Sequence, residues 1–132
     1  MFSLKTIIAF AAIILIFHSV ATINNLYWLM PWLDMPMHAL GGIWAAMLFG
    51  YLNQKFFKLQ NFRHFVLMTI SFVAFVAVLW EFLEFFIDHL SLLKKFGSFQ
   101  GDLNDTMSDL FLGLAGGIIL ILFDRIFRKN IL

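Results

Sequence analysis

Four long apolar stretches alternate with three short polar intervals along the chain, and that rhythm predicts helices that cross a lipid bilayer. A helical span needs about 20 mostly apolar residues. Thr6 to Ile23 is such a stretch, with His18 and Ser19 as its main interruptions. Phe65 to Ile87 is another, with Glu81 and Glu84 inside its last two turns. The remaining two, His38 to Leu52 and Leu110 to Phe123, are shorter. They reach spanning length only when extended backwards to Asp34 and Asp105, which draws acidic residues into the helix ends. The spans expected are residues 5–23, 35–53, 64–87 and 106–125 of a single domain covering 1–132. The fold class is then an all-α integral membrane protein, a four-helix transmembrane bundle.

Composition strengthens this reading. The 132 residues are 62% hydrophobic and 13% charged, with 18 phenylalanines and a mean hydropathy of +0.91. Soluble domains carry about 25% charged residues, and a chain this short has too little core to hide so much apolar surface. Membrane lipid is therefore the first partner expected. The lack of cysteine excludes disulfides, thiolate metal sites and cysteine nucleophiles. Nothing in the sequence supplies a soluble basic surface for nucleic acid.

Charge changes the picture by its placement. Lys5, Lys55, Lys58, Arg63, Arg125, Arg128 and Lys129 fall on one side of a four-span arrangement, and only Lys94 and Lys95 on the other. The positive-inside rule then puts both termini in the cytoplasm. The intervals from Asn24 to Leu33 and from Asp88 to Asn104 face outward. In the first of these, Tyr27, Trp28 and Trp32 suit an aromatic belt at the interface. An alternative reading of the first span is a signal peptide cleaved near Ser19-Val20-Ala21, although its apolar run is long for one.

The acids gather at the other end. Asp34 begins the second span, Glu81, Glu84 and Asp88 end the third, and Asp102, Asp105 and Asp109 begin the fourth; only Asp124 lies opposite. Spacings of three, four and seven residues put each group on one helix face. Ionisable groups within spans usually face the bundle interior, so the three stripes are expected to converge. Capping accounts for Asp34 and Asp105, at helix N-termini. It does not account for Glu81 and Glu84, which sit near a helix C-terminus where the dipole opposes negative charge. Glu81 also lies roughly 9 Å below Ile87 along the axis. Those glutamates need protons, a cationic partner or a metal.

One histidine among carboxylates is an oxygen-rich set suited to Mg²⁺, Mn²⁺ or Ca²⁺, or to a His-carboxylate Zn²⁺ or Fe²⁺ site. The expected ligands are His38, Glu81, Glu84, Asp105 and Asp109, with a divalent metal as cofactor. Glu84, read as shallower than Glu81, is the expected general base, acting with His38. Asp34, Lys94 and Lys95 are expected to contact substrate. The rival is a proton-shared carboxylate network that holds the helices together. Gly41-Gly42 and Gly113, Gly116 and Gly117 are expected to let spans two and four approach closely. The segment from His89 to Gly101 reads as an interfacial amphipathic stretch over the bundle mouth.

The order Asp34-x3-His38-x2-Gly41-Gly42, then Trp80-Glu81-x2-Glu84, then Asp105-Thr106-x2-Asp109-x3-Gly113-x2-Gly116-Gly117 resembles the YjdF-like bacterial inner-membrane proteins. It is more distantly similar to the VanZ-like proteins, from which Met37 before His38 and Asp109 in place of a frequent asparagine depart. The resemblance implies a bacterial inner-membrane location and supports the site, while transferring no reaction.

Three functions compete. The first is a metal-assisted hydrolase or transferase acting on a lipid or a lipid-linked envelope precursor. The second is a proton- or cation-coupled transporter, which with four helices would call for a homo-oligomer. The third is a structural or assembly protein built around the carboxylate network.

Overall fold

The computed structural model describes residues 2–90 and 101–127, the last without its side chain. Lys94, Lys95, Arg128 and Lys129 lie outside the described residues, and with them most of the expected interfacial segment. Among the described residues the elements are helical throughout. α1 runs Leu4–Ile23, a short α2 Leu26–Leu29, α3 Asp34–Leu52, α4 Phe62–His89 and α5 Leu103–Phe127. Four of them are long and apolar enough to span a membrane, as the hydrophobic pattern predicts.

The connections follow from local chemistry. Ser3 caps α1 by accepting from the Thr6 amide, and Asn61 caps α4 by accepting from Arg63 and His64. Asn25 turns the chain out of α1 in the left-handed region (φ 55°), which asparagine tolerates better than most residues. The chain then folds back through α2 and a 3₁₀ turn, Pro31–Leu33. At the other end a π turn, Asn53–Phe57, closes α3, and the buried Asn53 side chain accepts from the Leu59 amide at 3.0 Å.

Packing is carried by three helices. α3 and α5 form the most extensive pairing, and α4 lies against both. Lipid tails are as apolar as leucine, so close backbone approach holds such helices together. A Cβ added to Gly42 would collide with the Gly113 carbonyl, and one added to Gly116 with the Ala39 carbonyl. Gly117 receives Val73 of α4. Gly41 differs from its neighbour, for a Cβ there meets nothing within 4 Å. Expected as a packing position, it faces open space instead. Ala45, Ala46 and Val73 form the apolar centre of the bundle.

α1 stands apart. Its main long-helix neighbour is α3, and only Ile7 and Ala21 along it are buried. The Trp44 indole ties the two helices together by donating to the Ile7 carbonyl at 3.2 Å. Most other α1 side chains face outward as leucine, isoleucine and phenylalanine, a surface suited to lipid. The basic residues Lys55, Lys58, Arg63 and Arg125 mark one end of the bundle, where the Arg125 guanidinium lies 4.3 Å from the Phe62 ring centre. The acids mark the other.

Candidate functional site

At the acidic end α3, α4 and α5 aim side chains at one point. His38 lies one turn into α3, Glu81 and Glu84 lie near the end of α4, and Asp109 lies in the second turn of α5. The Gly42–Gly113 approach explains the fit. His38 and Asp109 each precede one of these glycines by four residues, so the tightest backbone contact sits one helical turn beneath them.

His38 is the pivot. Its Nε2 is 3.5 Å from Asp34 Oδ2 and 3.7 Å from Asp109 Oδ2, while its Nδ1 is 3.8 Å from Glu81 Oε1. The His38, Glu81 and Asp109 side chains are 7%, 8% and 5% exposed, and Asp34 is 28% exposed. Two groups of metal-ligand types share the imidazole: Asp34, His38 and Asp109 on one side, His38, Glu81 and Glu84 on the other. Within each, one donor atom per residue lies within 4.8 Å of the others. Ligands at about 2.1 Å from an ion stand at most about 4.2 Å apart, so small side-chain shifts would complete either shell.

The two glutamates differ in how well they are satisfied. Glu84 Oε1 accepts from the Trp80 indole at 2.9 Å, one turn earlier on α4. Thr106 of α5 lies beside the Glu81 carboxylate. Glu81 Oε1, however, is buried with no hydrogen-bond partner. Buried polar atoms are nearly always paired, because an unpaired one costs about 1–3 kcal/mol, and more for a charged group. An oxygen with no hydrogen bond, facing His38 Nδ1 at 3.8 Å with Glu84 beside it, is where a cation would be expected.

His38, Glu81, Glu84 and Asp109 come together, and Asp34 joins them through His38 rather than capping α3. Asp105 belongs to neither group and its residue is exposed. It does not cap α5 either, since Asp102 Oδ1 accepts from the Asp105 amide at 3.0 Å. Glu84 lies three residues nearer the end of α4 than Glu81, yet it is no more accessible, for the two residues are 6% and 7% exposed. Lys94 and Lys95 lie outside the described residues.

Sequence reasoning places His18, near the outer end of the first span, as a further wall of the site, but missed its partner Tyr27. Tyr27 turns back from α2 so that its hydroxyl lies 2.8 Å from His18 Nδ1. Burial, with the negative charge of Asp34 and Glu84 nearby, pushes the Tyr27 phenol above its usual value, so it remains protonated. His18 in turn meets the Trp80 ring edge-on at 5.5 Å, continuing the polar chain to Glu84. The only signal for either was an isolated polar group in an apolar stretch, and its partner depends on the Asn25 turn.

Fold and site together define a small integral membrane protein of four long helices with a buried histidine-carboxylate cluster at one end. Residues 2–130 match the family described as predicted membrane protein (DUF2238), and the chain belongs to that family. No curated protein and no solved structure matches it.

Proposed function

We propose that the chain is a metal-dependent hydrolase or transferase acting on a lipid or lipid-linked envelope precursor at the outer face of a bacterial inner membrane. The observation that carries this reading is Glu81 Oε1, buried without a hydrogen bond beside Glu84 and 3.8 Å from His38 Nδ1. Glu81, Glu84 and His38 would hold the ion. A divalent cation there would polarise a phosphoryl or carbonyl oxygen and lower the pKa of bound water. Imidazoles that bind a metal usually send their other nitrogen to a carboxylate. His38 has that arrangement, with Asp34 and Asp109 facing Nε2.

Burial argues against Glu84 as the general base, since a base must meet substrate and water. Asp34 is the most exposed carboxylate of the group, with 28% of its side chain accessible. We assign it the proton-accepting role. The orientation rests on the basic residues gathered at the opposite end, and the bacterial inner membrane on the resemblance to YjdF-like proteins.

A structural network is the second reading, favoured by one histidine contacting carboxylates from three helices. Transport has less support, because Ala45, Ala46 and Val73 form an apolar layer beneath the cluster. The experiment is release of headgroup or phosphate from phospholipid and polyprenyl phosphate substrates by purified protein with Mn²⁺, Mg²⁺ or Zn²⁺. At saturating metal, Asp34→Asn should lower turnover about 100-fold or more, as expected for a lost general base, beyond any metal affinity lost with the carboxylate behind His38. No turnover with any of these metals, or an unimpaired Asp34→Asn variant, would contradict the proposal.

A further inference from the structure

A cavity of about 330 Å³ lies directly beneath the cluster, between α1, α3 and α4. Its mouth is polar, formed by Asp34, His38 and His18, and its walls below are apolar, among them Ile14, Val73 and Val76. Along α3 it extends from Asp34 to Ala45, eleven residues or roughly 16 Å of helix. That is about half of a 30 Å hydrocarbon core, the depth of one leaflet. Its volume falls within the roughly 300–1,000 Å³ typical of ligand pockets.

Three features point to what fills it. The α1 and α4 walls face each other across the cavity and touch at its top, where His18 meets Trp80, but their backbones come close at few if any positions, so the gap below that contact opens sideways toward lipid. The floor is closed where the Trp44 indole bonds the Ile7 carbonyl. Gly41 lines the cavity, and any side chain there would project into open space. An apolar slot one leaflet deep, open laterally and polar only at its top, has the shape of an amphiphile.

We propose that this cavity binds a single hydrocarbon chain, which enters from the bilayer between α1 and α4 and leaves its polar head beside Asp34, His18 and His38. A hydroxyl head suits this mouth, where carboxylate and imidazole groups offer both acceptor and donor. The placement of the head as a substrate group rests on the function proposed above. Binding of the chain does not.

The test uses the full chain carrying Trp28→Phe and Trp32→Phe, which removes two exposed indoles and keeps Trp44 and Trp80 at the cavity wall. It is placed in phosphatidylcholine vesicles with a chelator and titrated with a mid-chain-brominated fatty alcohol that quenches tryptophan on contact. Saturable quenching at low probe content is expected. Gly41→Phe should remove most of the saturable part, and Gly41→Ala should retain it. Ala11→Phe fills the slot from α1 and serves if Gly41→Phe fails to fold. Quenching that rises only in proportion to bulk bromine, or that both filling variants leave unchanged, would overturn the proposal. Because no metal is present, that result is separate from failure of the metal site.

Discussion

Replacing His38 with alanine is expected to abolish the response of the protein to divalent metal and to destabilise it without metal. The imidazole stands between Asp34, Asp109 and Glu81 at 3.5–3.8 Å, and all but Asp34 are nearly inaccessible. Removing the imidazole, which among the described residues is the basic group lying between these carboxylates, leaves them facing one another in a low-dielectric interior. Breaking a buried ion pair from one side typically costs about 3–5 kcal/mol. A loss near the lower end is expected, since carboxylates left unpaired can take up protons. Thermal melts in detergent, with and without Mn²⁺, provide the measurement. At a metal concentration of about 100 Kd the wild type should gain about 2.7 kcal/mol. His38→Ala should gain nothing at the same concentration. Equal melting temperatures and equal gains in the two proteins would show that His38 neither balances the carboxylates nor binds the ion.

The second large effect lies below the cluster. Gly42→Val drives a side chain into the Gly113 carbonyl, a backbone atom that cannot swing aside. α3 and α5 must separate, at an overpacking cost of about 3 kcal/mol. The damage should also reach the site, because His38 and Asp109 stand one turn above that contact. Metal affinity should fall together with melting temperature. The neighbouring substitution Gly41→Ala should do the opposite, since its Cβ has free space and alanine is favoured over glycine in a helix by up to about 1 kcal/mol. Melting curves of both variants, with a metal titration of each, check the pair. A Gly42→Val protein as stable as the wild type would mean that the close approach does not hold the bundle.

Adjacent glycines with opposite roles show where sequence reading stops. Gly41 and Gly42 are one residue apart, so they differ by about 100° around α3, and only the position of α5 decides which one is covered. The spans themselves were legible because length and hydropathy are local properties of the chain. Convergence of His38, Glu81, Glu84 and Asp109 was legible because spacing fixes the helix face and lipid penalises any other direction. Depth was not. Glu84 and Glu81 are equally inaccessible, although one lies nearer the helix end, and Glu84 accepts from the Trp80 indole there. Asp105 is separated from Asp109 by one turn, yet the helix begins so close by that its side chain remains in the open while Asp109 is covered. Tyr27 and His18 meet only because Asn25 reverses the chain, a contact that no periodicity within either helix encodes.

The proposed function stands on a cation bound at the Glu81 oxygen that lacks a hydrogen bond. The most direct measurement is the binding of Mn²⁺ to chelator-stripped wild-type protein, followed by the loss of the free-ion paramagnetic resonance signal, beside the conservative variant Glu81→Gln. The account predicts about one tightly held ion per chain, as expected for one oxygen-rich His-carboxylate site, and a marked loss of that binding in Glu81→Gln at unchanged helicity. No bound ion in the wild type, or the same binding in both proteins, would contradict it.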